Sequence, residues 1–392
     1  MGKLVSKKQL GALVVALVVA ATGLAAWIAQ LTMGLLATTN LSNVFCWGLL
    51  IGMFAFCVGF GAGGQLAASY IVLSKRSELQ RFALPAQAAG LGGAIGASVA
   101  IIADLGSPQN ILAMILHLNV ASPLAWDMMA LTFFIAASVV GLVALARSWR
   151  SARAWMIAGI VAAVLLQVIE GVLFALPSAR AWWHSVIVPI DFLAVAVVCG
   201  LALVLAMAAV SARDDDAEGA SAAARRFGRM LAVAIVVHVA LALAELVLLA
   251  LEGTAAGQAT LAAVGAYAPL YAAELGLPLV AAVLLLVRGG KAGVGELGAY
   301  AALAIVGMFA HRLMLLYPAF AAPTLFAGLS NQASPAWAYP MSTGLYASSG
   351  DAFAMSQAYL PSPVEWASIL LPIGCAVAAA LLALVAAKTL RK

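Results

Sequence analysis

Long apolar runs alternate with short charged segments along the whole chain. Ten runs are long enough to be membrane-spanning helices, since a helix needs about 20 residues to cross the hydrocarbon core. They cover residues 10–36, 44–73, 84–104, 124–146, 154–176, 186–211, 230–251, 258–287, 297–317 and 365–387. The runs are continuously apolar, whereas membrane β-strands alternate polar and apolar positions. The pattern therefore predicts an all-α integral membrane protein with ten transmembrane helices.

The composition excludes a soluble protein. Only 9% of the 392 residues are charged and 65% are hydrophobic, whereas about a quarter of the residues in a soluble domain are charged. The four cysteines are isolated from one another, so the spacing of an iron–sulfur or zinc site is missing from the sequence. With only four histidines, we predict neither haem, nor an iron–sulfur cluster, nor another metal site in this chain.

The basic residues predict the orientation of the spans. With ten crossings, all Lys and Arg residues except Arg180 and Arg312 lie on one side of the membrane. Cytoplasmic loops carry such an excess, so both termini are predicted to be cytoplasmic and the protein to lie in the inner membrane. These cations are spread over several short loops, so the net charge of +5 does not indicate a nucleic-acid partner.

The polar segments divide the chain into regions. A polar, Ala-rich connector separates two bundle regions, and it is either a hinge or a solvated cytoplasmic loop. A long outer loop with several Pro, Tyr and Trp residues is expected to pack against another surface. The predicted regions are 1–43 (first helix and outer loop), 44–212 (first bundle), 213–229 (connector), 230–317 (second bundle), 318–363 (outer loop) and 364–392 (C-terminal helix).

Ionisable side chains in or near the spans gather toward the predicted outer side. Such groups are costly in lipid and usually serve a function. The inner half of the predicted bilayer is nearly free of them. The residues in the outer layer are Asp104, His117, Asp127, Glu170, Asp191, His311, Arg312 and Glu365, and those nearer mid-depth are His238, Glu245 and Glu274.

This one-sided layer is suited to a quinone. The isoprenoid tail needs an apolar slot, the head needs a few convergent polar groups, and its redox reaction moves two protons. We predict that Asp104, His117 and Asp127 are catalytic. Gln65, Trp126 and Glu170 are predicted to bind the quinone. Structural or proton-transfer roles are predicted for Asp191, Glu245, Glu274, His311, Arg312 and Glu365.

Several of these residues also have a plain structural interpretation. Asp127 beside Trp126 could mark the membrane interface, and Asp104 could cap a turn. Glu245 and Glu274 form either a structural pair or a proton site. A buried arginine needs a partner, and for Arg312 the candidates are Asp191, Glu274 and Glu365.

Short motifs in a fixed order carry a resemblance to a known family. They are Trp47-Gly48, the glycine-rich Gly59–Gly64, Asp104-Leu105-Gly106-Ser107-Pro108, Ser122-Pro123-Leu124-Ala125-Trp126-Asp127, Arg312, and Tyr359-Leu360-Pro361-Ser362-Pro363-Val364-Glu365. In this order they resemble the NrfD/PsrC family of polysulfide-reductase-type membrane subunits, in its ten-span, HybB-like branch. Ser107 departs from the family pattern, which usually has arginine there.

The resemblance implies two four-helix bundles with flanking helices and a quinone site near the outer face. It also implies a ferredoxin-like iron–sulfur partner docked at that face, and a catalytic subunit of the molybdenum or hydrogenase type. The expected substrate is menaquinone or ubiquinone. Proton transfer is a compatible addition.

Two other functions remain open at this point. A secondary transporter or proton-conducting protein would use Glu245, Glu274 and His238, with helices broken at Pro269 and Pro278. A purely structural anchor would hold its partners at the membrane without binding quinone.

Overall fold

The structure, a computed structural model, describes residues 6–42, 45–178, 180–211, 217–288, 291–322 and 359–391. Within these ranges the chain forms helices and no strand. The helices are α1 (Lys7–Met33), α2 (Leu35–Thr38), α3 (Leu49–Leu73), α4 (Ala83–Asp104), α5 (Asn110–Leu116), α6 (Pro123–Ala146), α7 (Ala152–Ala175), α8 (Ile187–Ser211), α9 (Ala217–Glu252), α10 (Ala255–Ala266), α11 (Ala268–Arg288), α12 (Val294–Ala321), α13 (Pro363–Ser368) and α14 (Leu370–Leu390), with a 3₁₀ turn over Ser77–Phe82.

Ten helical segments of the described chain are long and apolar enough to span a membrane. This confirms the all-α membrane class and the predicted number of spans. Helices α3, α4, α6 and α7 pack in a ring as bundle one, and α8, α9, α11 and α12 form bundle two. Helices α1 and α14 pack against each other, and α14 packs on α4. The two bundles with flanking helices are thus confirmed.

The two ends of the bundles differ in charge. One end, called the basic end here, carries Arg76, Arg147 and Arg226. At this end Lys388, near the end of α14, donates to Gln9 in the first turn of α1. The opposite end, called the acidic end, carries Asp104, Asp127 and Glu365. The unequal distribution of charge between the two sides, which the sequence predicts, is therefore present in the folded bundles.

The predicted eighth span is two helices. Residues 258–287 were predicted as one run, but α10 ends at Ala266 and α11 begins at Ala268. Pro269 lies in the first turn of α11. Backbone N–H groups of a first turn have no carbonyl partner within the helix, so the missing N–H of proline costs no hydrogen bond there. The expected break at Pro278 is wrong, because α11 continues through it. Gly307 of α12 faces this proline: a Cβ there would lie 2.3 Å from the ring.

Two predicted loops fall partly outside the described residues. Residues 323–358 of the long outer loop are among the undescribed ones, as are residues 213–216 of the connector. From Ala217 onward the predicted connector is helical and continues directly into the seventh span as α9. The charged residues Arg225, Arg226 and Arg229 therefore lie on a membrane helix, near its end.

The bundles meet where α3 crosses α8. A Cβ added to Gly63 would lie 2.2 Å from the carbonyl oxygen of Ala196 and 2.6 Å from the backbone nitrogen of Gly200. Both neighbours are main-chain atoms, so a side chain cannot fit unless one helix moves. Small residues allow this close approach in membranes, where packing rather than hydrophobicity joins helices.

We expect the Gly63→Ala substitution to push α3 away from α8 and to lower the stability of the protein by roughly 1–3 kcal/mol through overpacking. Gly276→Ala in α11 is the matched control, because a Cβ there meets no atom within 4 Å. The measurement is thermal unfolding in detergent. Equal melting temperatures for both variants would contradict the tight crossing.

Candidate functional site

Helix α12 is held at the acidic end by the segment that connects α7 to α8. Trp182 donates its indole N–H to the carbonyl of Met314 at 2.8 Å, and Trp183 donates to Leu315 at 2.6 Å. Pro318 lies four residues after Met314 and lacks an N–H, so it leaves that carbonyl free for Trp182. These bonds fix the part of α12 that carries His311 and Arg312.

Glu365 joins three segments at the same end. Its carboxylate accepts from the backbone N–H groups of Ser362 at 2.8 Å and Asn40 at 3.0 Å, and from the Tyr359 hydroxyl. Ser362 completes a capping box by accepting from the Glu365 N–H. Burial, together with the negative charge of Glu365, raises the pKa of Tyr359, so its hydroxyl stays protonated and donates.

Asp104 lies with Glu365 rather than with Asp127. It lines a small cavity together with Gln30, Thr39 and Glu365, between α1, α4 and α13. The predicted Tyr-x-Pro-Ser-x-x-Glu element is therefore the structural anchor of this end, with Asp104 beside it.

A second group contains Asp127 of α6, Glu170 of α7 and Arg312 of α12, and we call it the carboxylate–arginine group. All three side chains are buried, and Glu170 is within electrostatic range of both others. One oxygen of Asp127, both oxygens of Glu170 and all three guanidinium nitrogens of Arg312 lack hydrogen-bond partners among the described residues. Unpaired buried polar groups are rare and call for a specific explanation.

The position of Arg312 differs from the prediction. None of the three expected carboxylates, Asp191, Glu274 or Glu365, hydrogen-bonds its guanidinium in the described chain. The guanidinium instead lies 3.8 Å above the ring centroid of Phe192, a cation–π contact. A Cβ at Gly59 would come within 3.4 Å of Arg312, so the glycine-rich stretch of α3 makes room for the guanidinium.

A third group, the histidine cluster, takes one residue from each helix of bundle two: Asp191, His238, Glu274 and His311. His311 contacts the carboxylate of Asp191 through Nε2 at 2.7 Å and that of Glu274 through Nδ1 at 2.8 Å. His238 contacts the other oxygen of Asp191 through Nδ1 at 2.7 Å. All four side chains are at least 90% buried.

The histidine cluster has the chemistry of a proton-holding site. With carboxylates on both ring nitrogens, His311 is stabilised as the cation, because both N–H groups then donate. Asp191, His238 and His311 each offer one atom that could ligate a metal, and these three atoms lie within 4.8 Å of one another. The 2.7–2.8 Å separations are those of charge-assisted hydrogen bonds, so the observed geometry is that of a hydrogen-bonded network.

Glu245 and Tyr271 stand at the edge of this cluster. They line a small cavity with Glu274 and His311, closed by Trp182. One oxygen of Glu245 is buried without a hydrogen-bond partner in the described part of the chain. The predicted association of Glu245 with Glu274 thus takes the form of a shared cavity next to the histidine cluster.

Gln65 belongs to a separate, uncharged group in bundle one. It accepts from Gln87 at 2.6 Å and Ser138 at 3.2 Å and donates to Ser69, whose hydroxyl bonds the Met156 carbonyl. This amide cluster connects all four helices of bundle one. On α7, Met156 and Glu170 are about 20 Å apart at the rise of an α-helix, so the structure does not bring Gln65 to Asp127.

The remaining predicted residues are exposed at the acidic end. His117 follows α5 and is exposed, and Trp126 is 52% exposed with its indole donating to the Val120 carbonyl. Sequence reasoning undervalued His238, which is a lone histidine on its helix. It also missed Gln87, and it named Tyr359 only as part of a motif, because only the fold shows their partners.

Comparison with known proteins relates this chain to a family. The family model described as polysulphide reductase, NrfD, matches residues 37–323. A putative membrane subunit of dimethyl sulfoxide reductase from Halobacterium salinarum is 30% identical over 60% of this chain and 58% of its own length. An Hdr-like menaquinol oxidoreductase integral membrane subunit from Archaeoglobus fulgidus is 24% identical over 48% of this chain and 47% of its own length.

The matched region thus spans about half the length of each of these relatives. The family model, however, covers most of the present chain, including both bundles, the carboxylate–arginine group, the histidine cluster and the amide cluster, whereas Glu365 lies beyond the matched residues. The chain belongs to the polysulphide reductase NrfD family.

Proposed function

We propose that this chain is the quinone-reactive membrane subunit of a respiratory oxidoreductase complex. The observation that carries the proposal is the carboxylate–arginine group, where buried acceptors and donors of three helices are left unpaired. A quinol head offers two hydroxyl donors and a quinone head two acceptor oxygens. Asp127 and Glu170 match the first, and Arg312 matches the second.

The roles of the residues follow from this match. On oxidation a quinol loses two electrons and two protons, so Asp127 and Glu170 accept the protons while the electrons leave to a partner. His117, exposed at the same end, passes protons to water. Trp126 is exposed next to Asp127 in the sequence, and we propose that it guides the quinone tail into lipid. Asp104, which shares a cavity with Glu365, holds this end in place.

The relatives support the type of complex. One is named a menaquinol oxidoreductase subunit and the other a dimethyl sulfoxide reductase subunit. We propose menaquinone or ubiquinone as the substrate, a ferredoxin-like iron–sulfur subunit at the acidic end, and a molybdenum- or hydrogenase-type catalytic subunit beyond it. In this assembly the basic end and both termini face the cytoplasm, following the positive-inside rule.

Purification separates this proposal from a transporter. A tagged full-length chain extracted in mild detergent is expected to bring an iron–sulfur subunit with it, detected as broad visible-light absorbance that reductant bleaches. A transporter runs alone. Recovery of the chain from native membranes without any cluster-bearing partner would contradict the proposal.

We expect Asp127→Asn and Glu170→Gln each to lower quinol oxidation by the assembled complex by about 100-fold or more, because a positioned proton acceptor is lost. Both amides keep the size of the side chain. Glu252→Gln is the control, since Glu252 is an exposed carboxylate outside the group. His117→Ala tests the proton exit in the same assay. Parent rates for both amide variants, in fully assembled complexes, would remove these residues from the reaction.

We further propose that the histidine cluster takes up and releases protons during turnover. The specific support is His311, which has a carboxylate on each ring nitrogen and adjoins Arg312 in sequence. Glu245 and Tyr271 at the shared cavity provide a continuation of the polar path. Of the roles that a proton-conducting protein would need, this proton uptake and release by the histidine cluster is the one that the geometry favours.

Substitution of His238 by glutamine is expected to lower the number of protons moved per quinol in proteoliposomes while leaving most of the quinol oxidation. The glutamine can still donate to Asp191, so the buried carboxylate keeps a partner. His184→Gln is the control, because His184 is exposed in the α7–α8 connection. An unchanged proton-to-quinol ratio in the His238 variant would exclude the cluster from proton movement.

A further inference from the structure

An apolar groove runs along the lipid-facing side of bundle two, between α8 and α9. It encloses about 520 Å³ and is lined by Ala194, Val197, Leu201, Arg229, Met230, Val233, Ala234 and Val237. Arg229 is the only charged side chain in this lining. From Arg229 to Val237 the groove follows α9 for about 12 Å at the helical rise, which is from the basic end toward the middle of the helix.

The groove continues inward to α3. A second cavity of about 200 Å³ shares Val197, Leu201 and Met230 with it, and adds Gly63, Gly200 and Tyr70 among its lining residues. Gly63 and Gly200, where α3 crosses α8, form part of its wall. Together the two cavities make one slot that is open to lipid and of the size typical of small-molecule sites.

Three arginines stand where this slot meets the basic end. Arg226 donates from Nε at 2.7 Å to the hydroxyl of Tyr70, which lines the inner cavity. Arg225 and Arg229 are exposed, and Arg229 donates to the carbonyl of Arg225 at 3.4 Å. In the described chain the nearby ion pairs, Arg76 with Glu78 and Arg288 with Glu296, do not involve these arginines.

We propose that this slot binds one anionic phospholipid, with an acyl chain in the groove and the headgroup phosphate at Arg225 and Arg229. The charge complementarity is direct: the slot is apolar along its length and cationic only at the end where lipid headgroups lie. Basic pockets between membrane helices on the cytoplasmic side bind such headgroups. Arg226 is a positioning residue, because it acts on the slot through Tyr70.

A quinone is a poorer occupant of the slot. Its head would need acceptors as well as donors, and the lining offers no carboxylate, hydroxyl or histidine except Tyr70, which Arg226 already binds. The carboxylate–arginine group lies toward the opposite, acidic end. The lipid site is therefore separate from the proposed quinone site and does not depend on it.

The test is native mass spectrometry of the full-length chain in detergent, titrated with phosphatidylglycerol or with phosphatidylcholine of the same chain length. We expect the parent protein to prefer phosphatidylglycerol, and the double variant Arg225→Gln/Arg229→Gln to lose affinity for it on the order of 30-fold. The control is Arg150→Gln/Arg153→Gln, which removes two exposed arginines of the same end that line neither cavity of the slot.

A second pair of variants tests the groove independently of the charge. Val233→Trp fills the slot and is expected to lower phosphatidylglycerol binding about tenfold. Val236→Trp, on the same helix and similarly exposed at 52% against 63%, is outside the lining and should leave binding unchanged. Since both lie on the lipid-facing surface, neither change requires a core residue to move.

Three results would overturn the proposal. The first is equal affinity of the parent for the two lipids, or an equal loss in both arginine double variants. The second is displacement of the lipid by millimolar inorganic phosphate, which would assign the arginines to a free anion. The third is undiminished phosphatidylglycerol binding in Val233→Trp. The proposal also fails if the molecule that copurifies with the parent protein, and is lost from Val233→Trp, is a quinone and not a lipid.

Discussion

The cost of placing ionisable side chains in lipid is the constraint on which this structure depends. Such groups almost always face the interior of a bundle, where most of them pair with one another. In bundle two, α8, α9, α11 and α12 each contribute one member of the histidine cluster, so the pairing of Asp191, His238, Glu274 and His311 also fixes how the four helices meet. Arg312 meets the same constraint through a cation–π contact with the ring of Phe192, and its guanidinium nitrogens have no hydrogen-bond partner among the described residues.

The two bundles solve the same packing problem with different chemistry. Bundle one is tied together by an amide cluster in which Gln65 and Gln87 bond each other and reach all four helices. Amides and hydroxyls do not titrate in the physiological range, so this cluster holds helices and cannot store protons. Bundle two is tied together by histidines and carboxylates, which can. The architecture alone would not distinguish the bundles, and the difference lies entirely in which side chains connect the helices.

The sequence predicted the architecture because charge punctuation is a strong signal in a chain with so few charges. Ten spans and two bundles followed from it, whereas the break at Tyr267 and the continuous helix through Pro278 depend on how α10 and α11 pack. The hydrogen-bond partners of the buried polar residues were harder to predict than the depth of these residues in the membrane. Arg312 was expected to pair with a carboxylate, but both Asp191 and Glu274 are taken by His311. Gln65 was grouped with the outer residues, although it bonds Gln87 and is linked through Ser69 to Met156, both near the basic end, which only the three-dimensional packing reveals.

The adjacency of His311 and Arg312 has a geometric consequence. Successive residues of a helix point about 100° apart, so the two side chains of α12 address different neighbours. His311 lies among the carboxylates of bundle two, and Arg312 lies beside Gly59 of α3 at the seam with bundle one, within electrostatic range of Glu170. One turn of α12 therefore presents a charged residue to each bundle, with Arg312 toward Glu170 and His311 toward Asp191 and Glu274.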